Sequence, residues 1–173
     1  STVATVSAVT PPELKDKEVA LPKSIKDLAE KQKFESEIAV YNFKTKEFYY
    51  YNADKMIYSA SIQKLPYSYF CYDKIEDGVA KLSDTKVFLE KFRRGGTGIL
   101  KTKKSGTTWT LEQLLYYTIQ CSDNTGYMML QDKFGYQEYN KMIQNWGFKP
   151  TLSSTIKYGR VSAKLIERSL KEV

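Results

Sequence analysis

The chain contains no histidine and only two cysteines. The first absence removes Ser-His-Asp and Cys-His catalytic arrangements and any histidine-ligated metal centre, and two cysteines cannot hold a structural zinc by themselves. Arginine is scarce too: four residues, against 23 lysines spread along the whole chain. With no RNP, zinc-finger or basic-region pattern, the net charge of +7 reads as a solvated lysine-rich surface and not as a nucleic-acid footprint. No apolar run approaches about 18 residues, so no segment is suited to cross a membrane as a helix. Any catalysis must therefore use lysine, carboxylates or hydroxyls, and no metal or cofactor is expected.

What is present is enough for one packed domain. The 173 residues are 42% hydrophobic and 14% aromatic, with fourteen tyrosines; a chain of this length buries about two thirds of its unfolded surface. Residues 1–23 hold small and β-branched residues, then charges and three prolines, without helical or alternating period. They are expected to be a flexible linker. No basic n-region followed by an apolar h-region opens the chain, as expected for an exported, tethered domain whose leader has been removed.

Regular structure is expected from residue 24. Ser24 with Asp27 resembles a capping box for a short helix that places Ile25, Leu28 and Ala29 on one face. Ile38–Phe43 and Phe48–Tyr51, separated by Lys44–Glu47, have the pattern of an antiparallel hairpin. A mostly helical stretch follows. Ser61–Asp77 stops at Gly78; Thr110 with Gln113 caps Leu111–Ile119; Asn124–Phe134 stops at Gly135; Gln137–Trp146 stops at Gly147; Ser162 caps a last helix.

Two short patterns carry chemistry. Ser61 and Lys64, three residues apart at a helix start, place a hydroxyl and an amine on one face. The amine can accept the hydroxyl proton only when neutral, which requires a partly desolvated site, and the helix N-terminus offers N–H dipoles to developing negative charge. At this composition roughly two Ser-x-x-Lys matches are expected by chance. Three occur, the others being Ser83/Lys86 and Ser154/Lys157, and the bland interpretation of each is a solvated pair. Ser122-Asp123-Asn124 is rarer, at about one in fifty by chance. It lies in a loop between two helices, and its alternative interpretation is a helix cap.

Together, in this order and on these helices, the two patterns resemble the penicillin-recognising serine hydrolases, which include D-Ala-D-Ala peptidases and penicillin-binding proteins, and most closely the class A β-lactamase-like family. Residues 38–66 resemble the family's opening strands and nucleophile helix, and residues 95–135 its segment from a Gly-rich turn to the second motif; the likeness covers about residues 24–173. It implies an α+β fold in which an antiparallel sheet packs on a helical subdomain. Ser61 would then be the acylated nucleophile and Lys64 its proton acceptor. Ser122 would relay a proton to the leaving group, Asn124 would orient the substrate amide and the lysine, and Asp123 would brace the loop. β-Lactams or peptidoglycan-like peptides are the implied ligands, and the cell surface or exterior the implied location. The alternative is a non-catalytic β-lactam sensor or cell-wall-binding module on the same scaffold.

Two departures from the family qualify this. Class A enzymes activate the deacylating water with a glutamate on a loop after the second motif, whereas Lys149–Tyr158 holds no acidic residue and Glu167, in the next helix, is a poor substitute. Slow deacylation is expected. The third motif, Lys-Thr/Ser-Gly on a strand that also supplies an oxyanion N–H, is not found after Asn124; Lys104-Ser105-Gly106 has the letters but precedes Ser122. The chain is thus expected to hold the first hairpin of the sheet without its C-terminal strands, and to pair with a complementing segment or with itself through the open edge. An exported location would permit a disulfide, but Cys71 lies about 10 Å along the helix from Lys64 while Cys121 adjoins Ser122, so no bridge is expected.

Overall fold

The computed structural model of the chain describes residues 14–173. They fall into two compact units divided after Asn52. In the first unit, β2 (Ile38–Tyr41) and β3 (Glu47–Tyr51) form the expected antiparallel hairpin, in register Ile38↔Tyr51 to Tyr41↔Phe48. Its turn is held by Asn42, whose Oδ1 accepts from the amides of Lys44 and Thr45 at 2.9 and 3.1 Å.

The hairpin is not the whole of this sheet. Lys17–Glu18 (β1) pairs in parallel with β3, giving the order β1-β3-β2, so a strand lies inside the expected linker, whose first thirteen residues are outside the described ones. Two exposed charged residues carry neither apolar alternation nor β-branching, and nothing local marks them as a strand. The helix that follows, α1, spans Lys23–Glu30 and takes Pro22 as its N-cap without a side-chain cap, so the Ser24/Asp27 capping box does not form. Pro22 instead accepts the first turn's amides through its carbonyl, from Ile25 and Lys26 at 3.0 and 3.1 Å.

The second unit is built around α2 (Lys64–Glu76), which continues from a 3-10 turn at Ala60–Gln63. Lys64, Pro66, Tyr67, Ser68, Phe70 and Cys71 are all buried, so α2 is enclosed around most of its first two turns. Pro66, within the first turn, gives up an amide that has no intrahelical partner in any case. Around α2 stand α3 (Leu111–Gln120), α4 (Asn124–Phe134), α5 (Gln137–Asn145) and α6 (Ala163–Lys171). Thr110 makes a complete capping box with Gln113, and Ser162 accepts from the Leu165 amide as the cap of α6. Two small ladders were not expected. β4 (Ile57–Tyr58) pairs with β7 (Arg160–Val161), and β5 (Thr85–Val87) with β6 (Thr108–Thr110).

Three fully buried tyrosines centre the core of this unit. Tyr67 meets Tyr127 edge-on at 5.4 Å and Tyr139 at 5.3 Å between ring centroids. Each hydroxyl needs a partner in this apolar setting. Tyr67 donates to the Gly135 carbonyl at 2.5 Å, Tyr127 to the Lys157 carbonyl at 2.9 Å, and Tyr139 accepts from Gln63 Nε2 at 2.7 Å. The core thereby grips both the turn that carries Ser61 and the loop that ends at Tyr158. Cys71 is buried and Cys121 half-buried, and both are free thiols.

Candidate active site

Ser61 is exposed on the 3-10 turn, one turn before the buried Lys64. Ala60, immediately before it, has φ +44°, a left-handed conformation that costs a residue with a Cβ on the order of 1 kcal/mol. Lys64 is 2% exposed, yet its amine has four oxygen neighbours. Nζ lies 2.6 Å from the Ser122 carbonyl, 2.7 Å from Asn124 Oδ1, 3.0 Å from Ser122 Oγ and 3.2 Å from Ser61 Oγ. Ser61, Lys64, Ser122 and Asn124, named from sequence, thus converge on one amine.

Ser122 reaches the lysine because of how α3 ends. The helix caps at Cys121, the chain turns left-handed at Ser122 with φ +49°, and the Asp123 amide returns to the Tyr117 carbonyl at 3.0 Å. Glycine usually fills such a post-helical position. Here a side chain with a Cβ accepts the strain, which directs both its oxygens at Lys64.

Asp123 then starts α4. It is wholly buried, its Oδ1 accepts from the Gly126 amide at 2.9 Å and its Oδ2 from the Leu100 amide at 2.7 Å, so the cap also ties in the loop from Gly95 to Leu100. That loop packs very close. A Cβ on Gly98 would fall on the Asp123 carboxylate, so only glycine fits there. Thr97 Oγ1 donates to the Ser122 carbonyl at 2.7 Å, and the Gly95 carbonyl accepts from Asn124 Nδ2 at 2.8 Å. The second of these fixes the amide orientation: with Nδ2 committed to Gly95, Oδ1 must face Lys64.

Burial pushes the Lys64 amine down to about 8, against the opposing pull of the Asp123 carboxylate. Its neutral form is therefore about one tenth of the total at pH 7, where an ordinary lysine has well under one part in a thousand. Of the four neighbours, the Ser122 carbonyl and Asn124 Oδ1 can only accept. They take the two N–H bonds of the neutral amine, and its lone pair is left facing the two hydroxyls. The amine thus stands between two serine hydroxyls, within hydrogen-bond distance of each.

Of the other two Ser-x-x-Lys pairs, that of Ser83 has its amine engaged elsewhere, since Lys86 pairs with Asp132 at 2.7 Å. Lys104-Ser105-Gly106 lies in the connection between β5 and β6, with Ser105 Oγ turned to the Phe88 carbonyl at 3.4 Å. Sequence reasoning missed Tyr158, whose hydroxyl donates to Asn124 Oδ1 at 3.0 Å and whose ring lies 5.8 Å from Lys64 Nζ. No local pattern distinguishes it from the other tyrosines of the chain.

Known proteins share the fold that carries these residues. The most similar solved structures include PBP-A, with a TM-score of 0.78 at 19% identity over 87% of this chain, and a PBP-A variant in an acyl-enzyme complex with penicillin-G. A β-lactamase from Sphaerobacter thermophilus matches 78% of this chain at 27% identity and a TM-score of 0.68. The D-alanyl-D-alanine carboxypeptidase DacD from Francisella tularensis matches 78% at 16% identity and a TM-score of 0.64. The chain spans 60% of the PBP-A chain, 55% of the Sphaerobacter chain and 35% of the DacD chain. No curated protein matches the sequence. Likeness at these identities shows the fold, that of the serine β-lactamases and penicillin-binding proteins, and the model of the β-lactamase enzyme family matches residues 20–168. The chain therefore belongs to that family.

Proposed function

We propose that this chain supplies the acylating half of a metal-free serine hydrolase acting on β-lactams or on peptidoglycan-like peptides ending in D-Ala-D-Ala. The observation that carries the proposal is the amine of Lys64, held by two pure acceptors so that its lone pair addresses Ser61 Oγ and Ser122 Oγ at 3.2 and 3.0 Å. In acylation, Ser61 Oγ bonds to the substrate carbonyl carbon while its proton passes to the neutral Lys64 amine. The C–N bond of the lactam or peptide then breaks. Ser122 Oγ gives its proton to the departing nitrogen and is reprotonated from Lys64, which returns to the neutral form. Asn124, with Oδ1 committed to Lys64 and Nδ2 to Gly95, holds the lysine in this role. The penicillin-G complex of the PBP-A variant supports β-lactams as ligands, and the DacD likeness supports peptides. Such substrates would support a location outside the cytoplasm, which follows from this proposal alone.

Deacylation is slow under this proposal, because residues 149–158 hold no carboxylate to activate water. Incubation of the native protein with penicillin G, followed by removal of free drug, should leave a penicilloyl adduct on Ser61 that mass spectrometry detects for minutes or longer. Rapid turnover of a chromogenic cephalosporin would contradict slow deacylation. Absence of any adduct would favour a binding module without chemistry.

A further inference from the structure

The loop from Lys149 to Gly159 is fastened at several points within the second unit. Asn140 Oδ1 accepts from the Thr151 and Leu152 amides at 3.2 and 3.3 Å, and Asn140 Nδ2 donates to the Leu152 carbonyl at 2.8 Å. Tyr127 and Gln131 both donate to the Lys157 carbonyl, and the Gly159 carbonyl accepts from the Ser59 amide at 3.0 Å. Gly159 itself passes so near the Thr151 carbonyl that no Cβ would fit. Tyr158 is thus delivered by a backbone tied to the core on both sides, and its ring packs on Tyr127 at 5.1 Å between centroids. A side chain anchored this well has a defined position over the amine it approaches.

We propose that Tyr158 is a positioning residue for the reaction: its hydroxyl fixes the Asn124 amide and its ring roofs the Lys64 amine against water. The inference rests on Lys64 being the proton acceptor described above. Asn124 Oδ1 accepts from both Lys64 and Tyr158, one donor to each of its two lone pairs, so the phenol helps to hold in place the oxygen that faces the amine. Burial keeps the phenol itself neutral, raised to about 12, and it therefore donates throughout the physiological range. The ring's attraction for a cation acts against the desolvation that dominates at Lys64, but at 5.8 Å it is the smaller effect. The charged and titratable groups around the pair are Asp123, which favours the ammonium and opposes ionisation of Tyr158, and Arg94 and Tyr58, which bear on Tyr158 alone.

The test reads Lys64 directly, without substrate. The protein labelled with 13C at lysine Cε is titrated by NMR, with Lys64→Arg assigning the resonance. Lys64 should titrate near 8 in the unchanged protein. Tyr158→Ala should raise that midpoint by about one unit or more through resolvation, whereas Tyr158→Phe, which keeps the roof, should hold it within about half a unit. Should the alanine variant fail to fold, Tyr158→Leu carries the test, with a smaller shift in the same direction. A midpoint in the folded Ala or Leu variant that matches the unchanged protein would overturn the proposal. The acylation pH profile of the native protein should move with the midpoint. A moved midpoint with an unmoved profile would instead refute Lys64 as the proton acceptor while leaving Tyr158 as its roof.

Discussion

Replacing Lys64 by alanine should slow acylation of Ser61 by a factor on the order of 100 to 10,000, the usual contribution of a positioned general base. The site should survive the loss. Thr97 still donates to the Ser122 carbonyl and Tyr158 to Asn124 Oδ1, so the two strongest acceptors of the amine keep a partner each. The unchanged protein should acylate with a rate that rises with pH and levels off above about 9, because the reactive form is the neutral amine and burial has pushed its midpoint to about 8. Stability follows the same proton. The folded chain binds fewer protons at Lys64 than the unfolded chain between about 8 and 10.5, so this residue's contribution to stability improves as pH rises through that window. Stopped-flow acylation from pH 6 to 10 checks the first expectation. A Lys64→Ala variant within threefold of the unchanged rate would remove the lysine from the chemistry.

Asp123→Ala should cost about 2–6 kcal/mol of folding stability, since it leaves the buried amides of Leu100 and Gly126 without their acceptor at about 1–3 kcal/mol each. The same change should loosen the attachment of the Gly-rich loop, because Oδ2 is one of the groups that tie that loop to the start of α4, beside Asn124 and the Ser122 carbonyl. It also removes the carboxylate that favours the Lys64 ammonium, so in whatever fraction remains folded the acylation profile should move to lower pH. Urea denaturation measures the stability. A loss below about 0.5 kcal/mol would mean that Asp123 is neither cap nor brace.

How much of this could be seen in the sequence depends on the range of each interaction. The hairpin, the Thr110 capping box and the helix stops were visible because each is specified within a few residues. The four site residues were visible because a common Ser-x-x-Lys spacing and a rare Ser-Asp-Asn occur together in order, although the three-residue offset of Ser61 and Lys64 shows only that they share a helix face. That Ser122 and Asn124 complete the coordination of the same amine is a tertiary fact. β1 was hidden since it is two exposed charged residues, and β4 and β7 since they are two-residue strands from distant parts of the chain. Tyr158 was hidden for a similar reason: its position is set by Asn140, Tyr127 and Ser59, none of them near it in sequence. The start of α1 was misplaced because a serine is the better cap in isolation, while Pro22 needs only its carbonyl.

A β-lactam should label Ser61 alone if that residue is the nucleophile of a lysine-activated acylation site. The native protein is incubated with a fluorescent penicillin at pH 8, digested and mapped by mass spectrometry beside Ser61→Ala. The expected result is one label, on the peptide containing Ser61, and none on the variant. A label that persists in Ser61→Ala, or that maps to Ser122, would contradict that role.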